Sequence, residues 1–206
     1  MVIVSSPTRA PKPSTSESRY RLVAIGASAG GLKAVGEILS QLPTQSGCSI
    51  FVVIHLSPEH RSHAAEVLSR HTQWQVKQAS EGEVIVRGIV YIAPPNLHLT
   101  VKKKKVCLAQ TPVVHFVRPS VDRMFESVAA FYGPRCIGVV LSGSGSDGAD
   151  GLRAVKAAGG FTIVEDPASA QFKPMPTAAV ATTCADRVLP VEQIAALLVE
   201  LCAMPV

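Results

Sequence analysis

The sequence predicts an α/β domain with a parallel sheet covered on both faces. Three observations carry this. Apolar runs such as Val23-Ala24-Ile25, Ile50-Phe51-Val52-Val53-Ile54 and Ile137-Gly138-Val139-Val140-Leu141 lack polar alternation, as strands buried on both sides do. Helical patterns separate these runs. Each run also ends in residues able to do chemistry: Gly26-Ala27-Ser28-Ala29-Gly30-Gly31, His55, and Ser142-Gly143-Ser144-Gly145-Ser146-Asp147-Gly148. A serine, a histidine and an aspartate thus each follow a buried strand, at the sheet edge where open α/β folds bind ligands.

Taken in order, residues 1–19 hold Pro7, Pro11, Pro13 and a run of Ser and Thr, and read as a flexible tail. The domain is expected over residues 20–206. The strand Leu22–Ile25 leads to a helix from about Gly31 to Leu42, closed by Pro43. The strand Ile50–Ile54 leads to a helix from about Glu59 to Arg70. A β-rich insertion with hairpin turns follows, with runs at Val84–Val86, Val90–Ala93, Leu97–Val101 and Val106–Ala109. After Arg118-Pro119 comes a helix for which Ser120 is a suitable N-cap. The strand Cys136–Leu141, a helix over Ala149–Ala158 and the strand Phe161–Val164 come next. Helices near Met175–Thr182 and Val191–Cys202 close the chain. No internal repeat is evident.

Composition narrows the class. The chain has 206 residues, a 47% hydrophobic fraction and a net charge of +5. That fits one globular domain with a substantial core. No segment has the ~18 unbroken apolar residues of a membrane span, and the N-terminus does not read as a signal peptide. Five widely spaced cysteines without a CxxC pair suit a reducing, cytoplasmic setting. The positive charge fits an acidic protein partner, and it does not by itself indicate nucleic acid.

Ser28, between small residues in a strand-turn-helix, is a candidate nucleophile. The same Gly26–Gly31 segment equally reads as a phosphate-binding turn. A dinucleotide site would want an acidic residue after the second strand, where this chain has His55. His55 is the candidate general base, because ends of neighbouring parallel strands lie about 4.8 Å apart. Asp147 is the candidate orienting carboxylate, or simply a cap for the helix behind it. His60 and His63 read as a solvated helix face rather than a metal site. Lys102 to Lys105 read as a solvated hairpin tip able to attract an acidic surface. His98 and His115 have no evident partner. Arg118 is a candidate cleft residue for a carboxylate.

These residues together resemble the catalytic domain of the chemotaxis protein-glutamate methylesterases, the CheB family. The resemblance rests on Ile25–Gly31, the strand ending in His55, Tyr91-Ile92-Ala93-Pro94, Arg118-Pro119-Ser120-Val121-Asp122, Leu141–Gly148 and Met175-Pro176. It implies a three-layer α/β/α sandwich with a mainly parallel sheet of about seven strands. It also implies Ser28, His55 and Asp147 as a triad hydrolysing glutamyl methyl esters on chemoreceptors, and glutamine deamidation besides. The expected partners are methylated cytoplasmic receptor helices, with a sensor kinase or methyltransferase as further partners. No nucleic acid, membrane insertion, metal or organic cofactor is expected. The Ala29 N–H and amides of the Gly143–Ser146 loop, including Ser144 and Gly145, are the expected oxyanion donors. Three positions depart from the family pattern: Ala29 for threonine, Ser144 and Ser146 for methionine and asparagine, and Val117 for histidine. The roughly 20 residues ahead of the domain are too few for a receiver domain, so a stand-alone or excised catalytic domain is expected. A non-catalytic adaptor with the same fold is the alternative.

Overall fold

The computed structural model describes residues 22–55 and 62–203. Strand β1 (Leu22–Ala27) leads to helix α1 (Gly31–Gln41), and β2 (Ser49–Ile54) to α2 (Ala64–Ser69). Strands β3 (Gln75–Gln78) and β4 (Ile89–Ile92) follow. A hairpin, β5 (His98–Lys102) and β6 (Lys105–Ala109), precedes α3 (Val121–Tyr132). The chain continues through β7 (Cys136–Val140), α4 (Ala149–Ala157), β8 (Phe161–Glu165), α5 (Pro174–Ala181), β9 (Arg187–Leu189) and α6 (Val191–Ala203).

Seven strands form one sheet in the order β3-β4-β2-β1-β7-β8-β9, and every neighbouring pair is parallel. Strand residues alternate between two cores. Val23, Ile25, Ile50, Val52, Ile137 and Val139 face α1, α2 and α6. Leu22, Ala24, Phe51, Val53, Cys136 and Val140 face α3, α4, α5 and the hairpin. Helices on both faces make the expected three layers, and they explain why the central strands read as unbroken apolar runs.

The strand order reverses between β1 and β7. From β1 the chain moves outward through β2, and from β7 outward through β8. Helix α1 after β1 and α4 after β7 lie on opposite faces, so the loops behind these two strands diverge and leave a crevice. Gly26 lets α3 close in on this edge. A Cβ there would stand 2.2 Å from Val121 Cγ1, so only glycine lets the first turn of α3 rest on β1.

The structure departs from the expected elements at the periphery. Strands β3 and β9 were not anticipated; they are the sheet edges, largely exposed, and edge strands carry no apolar run to read. Val84–Val86 is no strand. Val84 forms an isolated bridge to Lys105, and Val84 and Val86 are 53% and 51% exposed. Helix α2 begins at Ala64 rather than Glu59; residues 56–61, including Glu59 and His60, lie outside the described residues, as does the expected tail. Among the described residues no helix is long and apolar enough to cross a membrane.

Candidate active site

Parallel register brings Ser28 and His55 side by side. Ala27, the last residue of β1, pairs with Ile54, the last of β2, so the next residue on each strand is the serine and the histidine. Main-chain bonds fix both. The His55 N–H donates to Ala27 O at 3.1 Å, and the Ser28 N–H donates across the reversal point to Ser142 O at 3.0 Å. Gly30, with φ 75°, then turns the chain into α1, and the Gly31 N–H closes the turn on Ser28 O at 2.9 Å. Two amides of this turn are thus engaged internally. A pyrophosphate cradle needs such amides free, which weighs against the nucleotide reading.

His55 Nε2 lies 2.8 Å from Asp147 Oδ2, and the two side chains are only 10% and 3% exposed. An ionised carboxylate can only accept, so the proton of this bond sits on Nε2 and leaves Nδ1 with its lone pair. Asp147 is held from several directions. Oδ2 also accepts from the Val121 N–H at 2.7 Å. Oδ1 accepts from the Ser120 hydroxyl at 2.9 Å and from the Asp122 N–H at 3.0 Å. Burial opposes the charge, but His55 and the N–H groups of Asp122 and Val121 outweigh it, and the carboxyl is held below its ordinary range. Asp147 therefore caps not the helix behind it, as its sequence position suggests, but α3. Ser120 is the N-cap foreseen, accepting from the Arg123 N–H at 3.3 Å.

Other residues form a frame that sequence reading did not single out. Ser142 lies behind Ser28. Its N–H donates to buried Glu165 Oε2 at 2.7 Å, its hydroxyl donates to Ala29 O at 3.0 Å, and the same oxygen accepts from the Phe172 N–H at 2.9 Å. The next residue, Gly143, is wedged in place: a Cβ there would lie 2.2 Å from Met175 Sδ and 2.7 Å from Ser28 Cβ. A serine after an apolar strand was visible in sequence; its partners Glu165, Ala29 and Phe172, far along the chain, were not. His98, without an evident partner in sequence, is a buried strut. Its Nδ1 accepts from the Ser120 N–H and its Nε2 donates to Pro112 O, both at 3.1 Å, and burial pushes its pKa down.

The cleft residues divide. Ala29 is half-buried beside Ser28, and Ser144 to Ser146 are exposed on the loop leading to Asp147. The Gly143 N–H donates to Phe172 O at 3.0 Å, so that amide leaves the expected oxyanion set, and the Ser144 and Gly145 amides remain. Arg118 is turned into its own surroundings. Nε and Nη2 donate to Asn96 Oδ1 at 2.9 and 2.6 Å, and Nη1 to Thr111 O at 2.7 Å. It braces two loops rather than presenting a free guanidinium fork. His63 is exposed and bonded to Glu66 at 2.9 Å.

Known proteins resemble this chain over most of its length. The family model described as CheB methylesterase matches residues 23–198. A Leptospira interrogans protein, provisionally named a protein-glutamate methylesterase/protein-glutamine glutaminase, is 40% identical over 88% of this chain and 95% of its own length. Two further relatives are each 38% identical: a Bdellovibrio bacteriovorus methylesterase/glutaminase and the Myxococcus xanthus methylesterase FrzG. The chain spans 52% and 59% of their lengths. The crystal structure of the Thermotoga maritima CheB methylesterase catalytic domain superposes with a TM-score of 0.84 at 35% identity, covering 88% of this chain and 98% of that one. The family model covers most of the chain and the relatives agree with it, and the chain belongs to the CheB methylesterase family.

Proposed function

We propose that this chain is a protein-glutamate methylesterase that restores glutamate from glutamyl methyl esters on chemoreceptors through Ser28, His55 and Asp147. The observation that carries the reading is the buried His55–Asp147 bond beside a serine held in register by β1 and β2. Ser28 Oγ attacks the ester carbonyl while His55 Nδ1 takes its proton. Asp147, kept ionised by its four donors, stabilises the imidazolium. The tetrahedral oxyanion faces the Ala29 N–H and the Ser144 and Gly145 amides. As the intermediate collapses, His55 returns the proton to the departing methoxide and methanol leaves. Water then attacks the glutamyl-serine ester with His55 as base again, and glutamate and free Ser28 result. The use of Nε2 toward the carboxylate inverts the ring of the chymotrypsin-type triad, where Nδ1 faces the aspartate; either nitrogen can serve, since imidazole is a base at whichever one is unprotonated.

The names of the relatives pair the esterase with a glutaminase. The same steps on a glutamine side chain release ammonia, and we assign this as a second, slower activity of the same site. The substrate is an exposed helix face of a receptor's cytoplasmic part.

The direct test is methanol release from methylated receptor fragments by the wild type and Ser28→Ala. Loss of roughly 10⁶-fold in the variant is expected by triad precedent. Undiminished release would remove Ser28 from the reaction. Absence of release from both, with no labelling of Ser28 by a serine-reactive phosphonate, would favour a non-catalytic adaptor.

A further inference from the structure

We propose a divalent transition-metal site formed by His115, Asp122 and Asp150 beside the catalytic carboxylate. One ligand atom from each of the three lies within 4.8 Å of the other two. Asp122 provides the independent observation. Its side chain is 3% exposed; Oδ1 accepts from the Gly148 and Gly151 N–H groups at 2.9 and 2.7 Å. Its other oxygen, Oδ2, is buried and has no hydrogen-bond partner among the described residues. A buried carboxylate oxygen without a partner is costly.

That oxygen faces His115 Nε2 at 3.2 Å, yet no hydrogen bond forms between them. The contact is an ion pair when the imidazole is protonated; with the imidazole neutral, both atoms are acceptors close enough to bind one ion. With Zn–N and Zn–O bonds near 2.0–2.1 Å, tetrahedral ligands stand about 3.3 Å apart. Asp150, in the first turn of α4, closes the third side. One of its oxygens, Oδ1, accepts from Arg153 Nη1 at 2.7 Å, and the other is available to an ion. One imidazole and two carboxylates suit zinc, cobalt or nickel better than calcium or magnesium. Three protein ligands leave the remaining positions to water, so the site is exchangeable. The spacing of the three residues matches no metal motif, and only the meeting of the 111–118 loop with the starts of α3 and α4 assembles them.

Such an ion would join His115, on the loop ahead of α3, to the start of α3, which holds Asp147, and to the start of α4. It would tie down the wall of the cleft without touching the reacting atoms. The site is independent of the esterase assignment, and its test needs no turnover.

The whole 206-residue chain would be titrated with Co²⁺, followed by visible ligand-field absorption and by thermal unfolding. His115→Ala and Asp150→Asn change exposed side chains and leave the core intact. Saturable binding of one Co²⁺ with a raised Tm is expected in the wild type, and roughly tenfold or greater weakening in each variant. His63→Ala, outside the cluster, should bind as the wild type does. Binding unchanged in both cluster variants, binding lost in His63→Ala, or no saturable binding of Co²⁺ or Zn²⁺ at millimolar concentration would each overturn the proposal.

Discussion

Asp122 and Asp147 exchange caps: each carboxylate closes the helix that the other introduces. Asp147, just ahead of α4, accepts from the Val121 and Asp122 N–H groups of α3. Asp122, in the first turn of α3, accepts from Gly148, the N-cap of α4, and from Gly151 within it. Helix starts favour negative charge, so each acid sits where the other helix stabilises it. The proximity has a consequence. Burial foremost, with the Asp147 charge added, pushes Asp122 up to about 6, while Asp147 is pulled the other way by His55 and the N–H groups. Of the two, Asp147 is the acid more firmly held in its charged form.

Asp147→Asn should lower turnover by roughly 10⁴-fold while preserving the fold, because the amide retains one acceptor for the α3 start but does not stabilise an imidazolium. Methanol release alongside far-UV circular dichroism checks this. Turnover within a factor of a few of the wild type would mean that the carboxylate only caps.

Gly143→Ala should displace Ser28, since the new methyl group meets Met175 Sδ at 2.2 Å and Ser28 Cβ at 2.7 Å. Overpacking of this kind costs about 1–3 kcal/mol, and a shift near 1 Å at the proposed nucleophile costs about 10²-fold in rate. Met175→Ala added to Gly143→Ala should restore part of both losses. Failure of any rescue in kcat or urea midpoint would show that the Met175 contact is not the obstacle.

Glu165 supplies a pH-dependent prediction. Burial, foremost, raises its pKa above the ordinary 4.5, although the Ser142 N–H works against this. The folded state therefore holds the proton where the unfolded chain has released it. Its contribution to stability is full below the unfolded value and is lost as pH rises through the folded one. Glu165→Gln keeps an oxygen for the Ser142 N–H and cannot ionise. Its stability relative to wild type should thus increase between pH 4 and pH 8, read from urea midpoints at both. A constant or shrinking difference would contradict the assignment.

The hairpin tip should accept Lys103→Asn with Lys104→Gly. Both lysines have positive φ, 50° and 62°, between the paired residues Lys102 and Lys105. A two-residue turn of this hand prefers Asn-Gly, and relief of the strain is worth about 1 kcal/mol. A higher Tm is expected by differential scanning calorimetry, and an unchanged or lowered Tm would count against strain at the tip.

How legible all this was in sequence follows from burial. The central strands, and the placement of Ser28, His55 and Asp147 just past them, could be read because β1, β2 and β7 are covered on both faces and end where the polar residues begin. Ser120 was readable as a cap because a cap is local. Ser142, Glu165 and His98 were not, because their meaning lies in partners far along the chain. Strands β3 and β9 failed for the opposite reason: as edges they bury too little to leave an apolar pattern. The alternative reading of Asp147, as a cap for α4, does not hold: nearness in sequence favours the following helix, whereas packing of α3 against α4 supplies the donors.

The insertion of β7 beside β1 in the middle of the sheet bears on how the protein is made. Residues through His55 emerge from the ribosome with the hydroxyl and the imidazole already encoded, while Asp147 lies 92 residues further on. A nascent chain has no carboxylate to orient the histidine, and none arrives until the late strand docks against the early one. Pairings of such sequence separation form slowly. Recovery of ester cleavage during refolding should accordingly lag behind helix formation, and would serve as a clock for the completion of the sheet.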